Sequence, residues 1–110
     1  MSYNITGTTI TLTRGDTFEA LVSAIKRDGT QYIPEVGDTI RFAMKENYND
    51  ARPILVKDIP ISTMMLVLEP KDTADLNFGK YVYDIQLTRS NGKVDTFITK
   101  AILKLAEEVY

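Results

Sequence analysis

Apolar and polar residues alternate without a break between Gly79 and Thr88. Tyr81, Tyr83, Ile85 and Leu87 fall on one face, and Val82, Asp84, Gln86 and Thr88 on the other. That is the two-residue period of a strand with one buried face. Ser90-Asn91-Gly92-Lys93 follows, residues that tolerate positive φ and close hairpins, and Val94 to Ile98 opens a β-branched and aromatic return strand. The hairpin from Gly79 to Ile102 is the element around which the other segments are expected to organise. Thr8 to Thr13 alternates over a shorter span, ended by Arg14-Gly15-Asp16. Thr17 to Ile25 places Phe18, Ala20, Val22 and Ala24 on one face and Leu21 and Ile25 on the other, which predicts a central strand covered on both sides.

Further strands are predicted by the same reasoning. Asp28-Gly29 reads as a type I′ turn before Thr30 to Ile33, and Val36-Gly37-Asp38 turns the chain into Thr39 to Lys45, where Ile40, Phe42 and Met44 alternate with polar neighbours. Glu46 to Arg52 is polar throughout and reads as an exposed loop. Pro53 to Lys57 is a short strand whose leading proline suits an edge, Asp58 to Pro60 is a turn, and Thr63 to Leu68 is another strand. Pro70 to Leu76 has the early proline and the capping Asp and Thr of one helical turn. Lys100 to Glu108 has helix-forming composition, yet Ala101, Leu103 and Leu105 alternate with Lys100, Ile102 and Lys104, so the segment is read as the end of the last strand, with a bulge near Thr99.

About seven or eight strands, roughly ten residues apart with turns between them, predict an all-β sandwich or barrel. The sandwich is preferred because the crossover from Pro70 to Phe78 resembles the E–F corner of immunoglobulin-like domains. Asp75, Gly79, Tyr81 and Tyr83 stand near the positions of that corner's Asp-x-Gly-x-Tyr-x-Cys signature, with two more residues between Asp and Gly and with Tyr83 in place of the cysteine. Tyr81 is then the candidate tyrosine corner, its hydroxyl bonded to the crossover backbone. The expected architecture is an antiparallel immunoglobulin-like β-sandwich in one domain, residues 1–110.

Composition narrows the chemistry. The chain of 110 residues carries no His and no Cys, so the usual general base, the commonest metal ligand and the best nucleophile are missing from the sequence. Of the carboxylates, Glu46 and Asp50 share a loop and Asp72 and Asp75 share a turn. A paired acid–base mechanism needs one member in an apolar pocket, whereas these lie in the most polar segments and are read as solvated. Asp72 and Asp75 alone supply too few oxygens for a calcium ion. No catalysis, cofactor or metal is expected.

The formal charge of −2 and the scattered Lys and Arg argue against nucleic acid as a partner. No apolar run reaches the roughly 20 residues of a spanning helix, and the N-terminus lacks the basic and apolar regions of a secretory signal, so synthesis in the cytoplasm without a membrane stage is expected. Arg14-Gly15-Asp16 matches the integrin-recognition tripeptide but is read as a tight turn with Gly15 at positive φ. Tyr32 and Tyr48, in or beside loops, are candidate partner contacts, since tyrosine is enriched at interfaces. Thr9 and Thr11 are candidates for a different reason: their segment has no charge or proline to guard it, so at a sheet edge it could take a strand from a second copy of this chain or from another protein. Pro53 and Lys57 are expected to blunt the 53–57 strand and keep that edge facing solvent.

Across nearly its whole length the chain resembles the immunoglobulin-like N-terminal domain of baseplate upper proteins, and small tail-module proteins, of phages and prophages of Gram-positive bacteria. The resemblance runs through Arg14-Gly15-Asp16-Thr17-Phe18, Asp28-Gly29 with Tyr32, Gly37 to Lys45, Leu68-Glu69-Pro70 and Asp72 to Leu76. Its most specific block is Gly79-Lys80-Tyr81-Val82-Tyr83-Asp84-Ile85 and the hairpin to Thr96. It implies a non-enzymatic virion module that docks onto other tail or baseplate subunits, either as a stand-alone accessory protein or as the docking domain of a longer one. The alternative is a ligand-binding module, for instance for cell-surface glycans, built on Tyr32, Tyr48 and the 46–50 loop.

Overall fold

In the computed structural model, residues 3–6, 8–25 and 29–107 are described, with the backbone alone at 3–6, 24–25, 97 and 99. Among these, the chain runs β1 (Tyr3–Thr6), β2 (Thr9–Thr13), β3 (Phe18–Leu21), β4 (Ala24–Ile25), β5 (Gln31–Tyr32), β6 (Thr39–Lys45), β7 (Leu55–Ile59), β8 (Met65–Leu68), α1 (Pro70–Thr73), β9 (Gly79–Thr88) and β10 (Val94–Ala106). The protein is mostly β, as the alternation predicts. Six strands form one curled sheet in the order β1-β2-β10-β9-β6-β7, while β3 pairs with β8 and β4 with β5.

The β9–β10 hairpin lies at the centre of the large sheet. Arg89 N–H donates to Lys93 O at 2.8 Å and Gly92 N–H to Arg89 O at 2.8 Å. With Gly92 at φ +89° and Asn91 outside the positive-φ region, this is a three-residue loop closed by a left-handed glycine. Residues 100–106 are strand, so tertiary pairing overrides helix propensity there. The bulge is also present. Ile98 pairs with Ile85 and Ala101 with Tyr83, which leaves Thr99 and Lys100 together opposite Asp84.

One core fills the space between the sheets. Ile10 and Leu12 from β2, Ile40, Phe42 and Met44 from β6, Tyr81, Tyr83, Ile85 and Leu87 from β9, and Ala101, Leu103 and Leu105 from β10 line the inner face of the large sheet. Phe18, Leu66 and Leu68 from β3 and β8 close over them. The turn α1 bridges the two layers. Asp72 Oδ2 accepts the Glu69 N–H at 2.7 Å and pairs with Lys57 Nζ at 3.0 Å. The buried Thr73 hydroxyl accepts the Gly15 N–H at 2.9 Å. Tyr81 hydroxyl donates to Asn77 O at 2.6 Å, the backbone bond expected of that residue.

Several expectations are corrected. The segment 17–25 is not a central strand: β3 ends at Leu21, which is exposed, and Ala24–Ile25 joins a different pairing. The strand read as 53–57 lies two residues later, with Ile59 in the core and Pro53 outside it. The large sheet is mixed, because β10 pairs parallel to β2. The segment carrying Thr9 and Thr11 is no edge, since β1 lies on one side and β10 on the other. Strand addition through Thr9 and Thr11 is therefore closed off. β7 is an edge, as expected. Its Lys57 points inward to Asp72, an inward charge of the kind that discourages edge-to-edge pairing. The Asp28-Gly29 turn lies partly outside the described residues, with Gly29 at φ +88°.

Candidate functional site

Two surface regions bring polar or exposed apolar groups together, at opposite ends of β6. At its start, Asp38 is the organising residue. The Glu35–Asp38 turn is closed by Asp38 N–H to Glu35 O at 3.0 Å, with Gly37 at φ +96°. Asp38 Oδ2 accepts the Tyr32 hydroxyl at 2.6 Å and the Glu35 N–H at 2.9 Å, while Oδ1 accepts the Ser90 N–H at 3.1 Å. Three donors around one carboxylate, the Glu35 N–H first among them, hold its pKa below the usual carboxylate value. The same contact, seen from the phenol, raises that of Tyr32, because its hydrogen bond to Asp38 favours the protonated form. The Arg89 guanidinium lies 4.9 Å over the Tyr32 ring and its Nε donates to Asp95 at 3.1 Å.

This knot leaves its loop side chains outside. Asp38 itself is only 6% exposed, whereas Ile33 is 75% and Val36 95% exposed, with Val94 beside the same hairpin turn also exposed. The loop is fixed by polar contacts, and its aliphatic groups are presented to solvent. Sequence reasoning singled out Tyr32 but missed Asp38, because an aspartate after glycine reads as ordinary turn chemistry.

At the other end of β6, Ala43 and Lys45 share the outer face of the sheet with Asp84 and Val82, each directly opposite its partner on β9. The 46–52 loop rises beside them, turned by Asp50 N–H to Asn47 O at 3.0 Å and Asn47 N–H to Asp50 Oδ2 at 2.9 Å. It stands Tyr48, 52% exposed, at the wall of a cleft of about 210 Å³ lined by Ala43, Lys45, Tyr48, Val82, Tyr83 and Asp84. From β10 the bulge sends Lys100 across, its Nζ 4.9 Å from the Tyr48 ring centroid. Lys100 sits at φ +51°, a conformation that costs a non-glycine residue roughly 1–3 kcal/mol and that bulges use to re-aim a side chain. Among the described residues neither Lys45 nor Asp84, both half-buried, takes part in an ion pair.

No known protein family, curated protein or solved structure matches this chain. Its chemistry is therefore read from its own residues. The structure separates the four candidate contacts. Tyr32 and Tyr48 lie in the two different regions, and Thr9 and Thr11 stand half-buried on β2 with their backbone inside the sheet. The carboxylate pairs do not form dyads: Asp50 accepts a loop N–H, Asp72 is held by Lys57 and the Glu69 N–H, and Asp75 is exposed. Among the described residues, no three His, Cys, Asp or Glu gather as metal ligands would, and no helix is long and apolar enough to cross a membrane. Arg14-Gly15-Asp16 forms a turn with Gly15 at φ +83°. Its arginine lies 4.2 Å over the Phe78 ring and donates to Leu76 O at 3.3 Å. Both arginine contacts belong to folding.

Proposed function

We propose that this chain is a non-enzymatic docking module of a phage or prophage tail or baseplate, acting through protein–protein contacts and made in the bacterial cytoplasm before joining the virion. The observation that carries the docking reading is the fixed loop around Asp38. Exposed aliphatic side chains on a mobile loop lose conformational entropy when a partner orders them, whereas Ile33 and Val36 stand on a turn tied by three hydrogen bonds. A preorganised apolar pair with a polar surround is what a binding partner buries most favourably. The assignment to phage tails rests on the sequence resemblance. The immunoglobulin-like reading of the fold draws support from the Tyr81–Asn77 bond at the crossover and from two layers sharing one core, and it must accommodate the parallel β2–β10 pair.

The test is co-expression with the products of the genes that flank this one. A complex should form with a tail or baseplate subunit and should be lost in an Ile33→Ser/Val36→Ser double variant that melts like the parent. A complex indifferent to that variant would overturn the docking surface, and flanking genes unrelated to virions would overturn the class. A second reading, the ligand-binding module, contracts to one place: the Tyr32 hydroxyl is committed to Asp38, while Tyr48 walls an open cleft.

A further inference from the structure

We infer that the cleft beside Tyr48 is a subsite for one neutral pyranose ring of a glycan. The inference rests on the second reading above and is independent of the docking surface around Asp38. Four features of the cleft point to this ligand class. Its volume of about 210 Å³ lies below the 300–1,000 Å³ of sites for drug-sized molecules, so it suits a single small ring. Its base includes the small side chains of Ala43 and Val82, directly across from Asp84 and Lys45 on the paired strands, which leaves room for a ring to approach the sheet. The Tyr48 ring offers an aromatic wall for the C–H face of a sugar, and its loop is held by the Asn47–Asp50 turn. The polar groups are balanced in sign and unspent. Asp84 is an acceptor and Lys45 a donor, neither in an ion pair among the described residues, and sugar hydroxyls can satisfy both.

The bulge supports the same assignment. A regular β10 would place one residue opposite Asp84. Instead Thr99 and Lys100 share that position, and the ammonium of Lys100 reaches the Tyr48 ring. The cation braces the aromatic wall from β10, so the ring is positioned by that strand and by its own loop. A site built for an anion would gather cations without a carboxylate among them. Asp84 in the lining speaks against that and for a ligand rich in hydroxyls.

The test is NMR titration of the ¹⁵N-labelled protein with methyl glycosides of glucose, galactose and N-acetylglucosamine. At least one should shift the amides of Ala43, Val82 and Asp84 together, with a Kd on the order of millimolar, as expected for a single sugar. Tyr48→Ala should weaken that binding about tenfold or more, Tyr48→Phe should retain it, and Asp84→Asn should weaken it. Tyr48 is exposed and Asp84 half-buried, and an unchanged spectrum elsewhere would show that each variant folds. A glycoside that binds equally well to the Tyr48→Ala variant would overturn this site while leaving a ligand module elsewhere on the protein. Absence of shifts from every glycoside at saturating concentration would overturn both.

Discussion

The backbone N–H of Ser90 donates to Asp38 Oδ1 at 3.1 Å, joining the β9–β10 turn to the loop before β6 across 52 positions of sequence. The same carboxylate holds Tyr32 and the Glu35 N–H, so one side chain fixes three segments. Its pKa is lowered by those donors, and the sign of the pH effect follows. A carboxylate with a depressed folded-state pKa contributes stability that is fully present above its unfolded value, near 3.8, and is lost as pH falls through the folded value below it. Melting followed from pH 6 to pH 2 should therefore show a decline that steepens below about pH 4. Asp38→Asn should melt lower at pH 6 and decline less steeply over that range. A variant as stable as the parent at pH 6 would show that the knot is dispensable.

Tyr83 gives the alkaline counterpart. Burial pushes its phenol up to about 12, and its hydroxyl donates to the Thr8 carbonyl. The folded state therefore holds that proton more tightly than the unfolded chain, whose tyrosines titrate near 10. The resulting stability is present below pH 10 and fades as pH rises from about 10 to about 12. Tyrosinate absorbance should show a late-titrating component near pH 12 that disappears in Tyr83→Phe, with Tyr32 and Tyr81 also titrating above an ordinary tyrosine. That variant should lose about 0.5–1.5 kcal/mol at neutral pH, the net value of a typical hydrogen bond.

Gly37 and Gly92 test backbone against side-chain space. Both have positive φ, but a Cβ on Gly37 would meet Ser90 Cβ at 2.9 Å, whereas one on Gly92 meets nothing within 4 Å. Gly92→Ala should be destabilised by about 1–2 kcal/mol from the left-handed conformation alone. Gly37→Ala should lose more, because Ser90 must move and the bond to Asp38 moves with it. Chemical denaturation of the two variants side by side decides the order; equal losses would mean that the turn relaxes freely.

The core makes a sharper prediction. Leu66→Ala should lose roughly 2–5 kcal/mol, since Leu66 is almost fully buried on β8 over the large sheet. Leu21→Ser, at an exposed position one strand away, should fall within about 0.5 kcal/mol of the parent. Urea midpoints would measure both.

The alternation along 39–45 and 79–88 was legible because each strand has one buried face, and a period of two identifies such a strand without knowledge of its neighbours. The C-terminal strand was legible for the same reason, despite its helix-forming residues. The stretch 17–25 was misread because its apolar residues serve three purposes: Phe18 fills the core, Leu21 faces solvent and Val22 packs at the margin. Nothing local marks the place where the chain leaves one sheet for another. The Tyr48 cleft was half legible. An aromatic in a polar loop drew attention, but Lys45, Asp84 and Lys100 join it through strand register and a bulge, which only pairing reveals. Asp38 carried no signal beyond its turn.

The parallel pairing of β2 with β10 has a consequence for how the protein is made. Ile10 is matched with Leu103, a separation of 103 − 10 = 93 residues. The first hairpin leaves the ribosome early yet has no place in the sheet until the strand beside it has been translated. Until then Ile10 and Leu12 are unsheltered apolar groups on a nascent chain, and a contact so distant in sequence is slow to close. Folding of the large sheet should complete only after release of residue 106, in a single late step, and nascent chains arrested before Leu103 should remain sensitive to protease along β1 and β2.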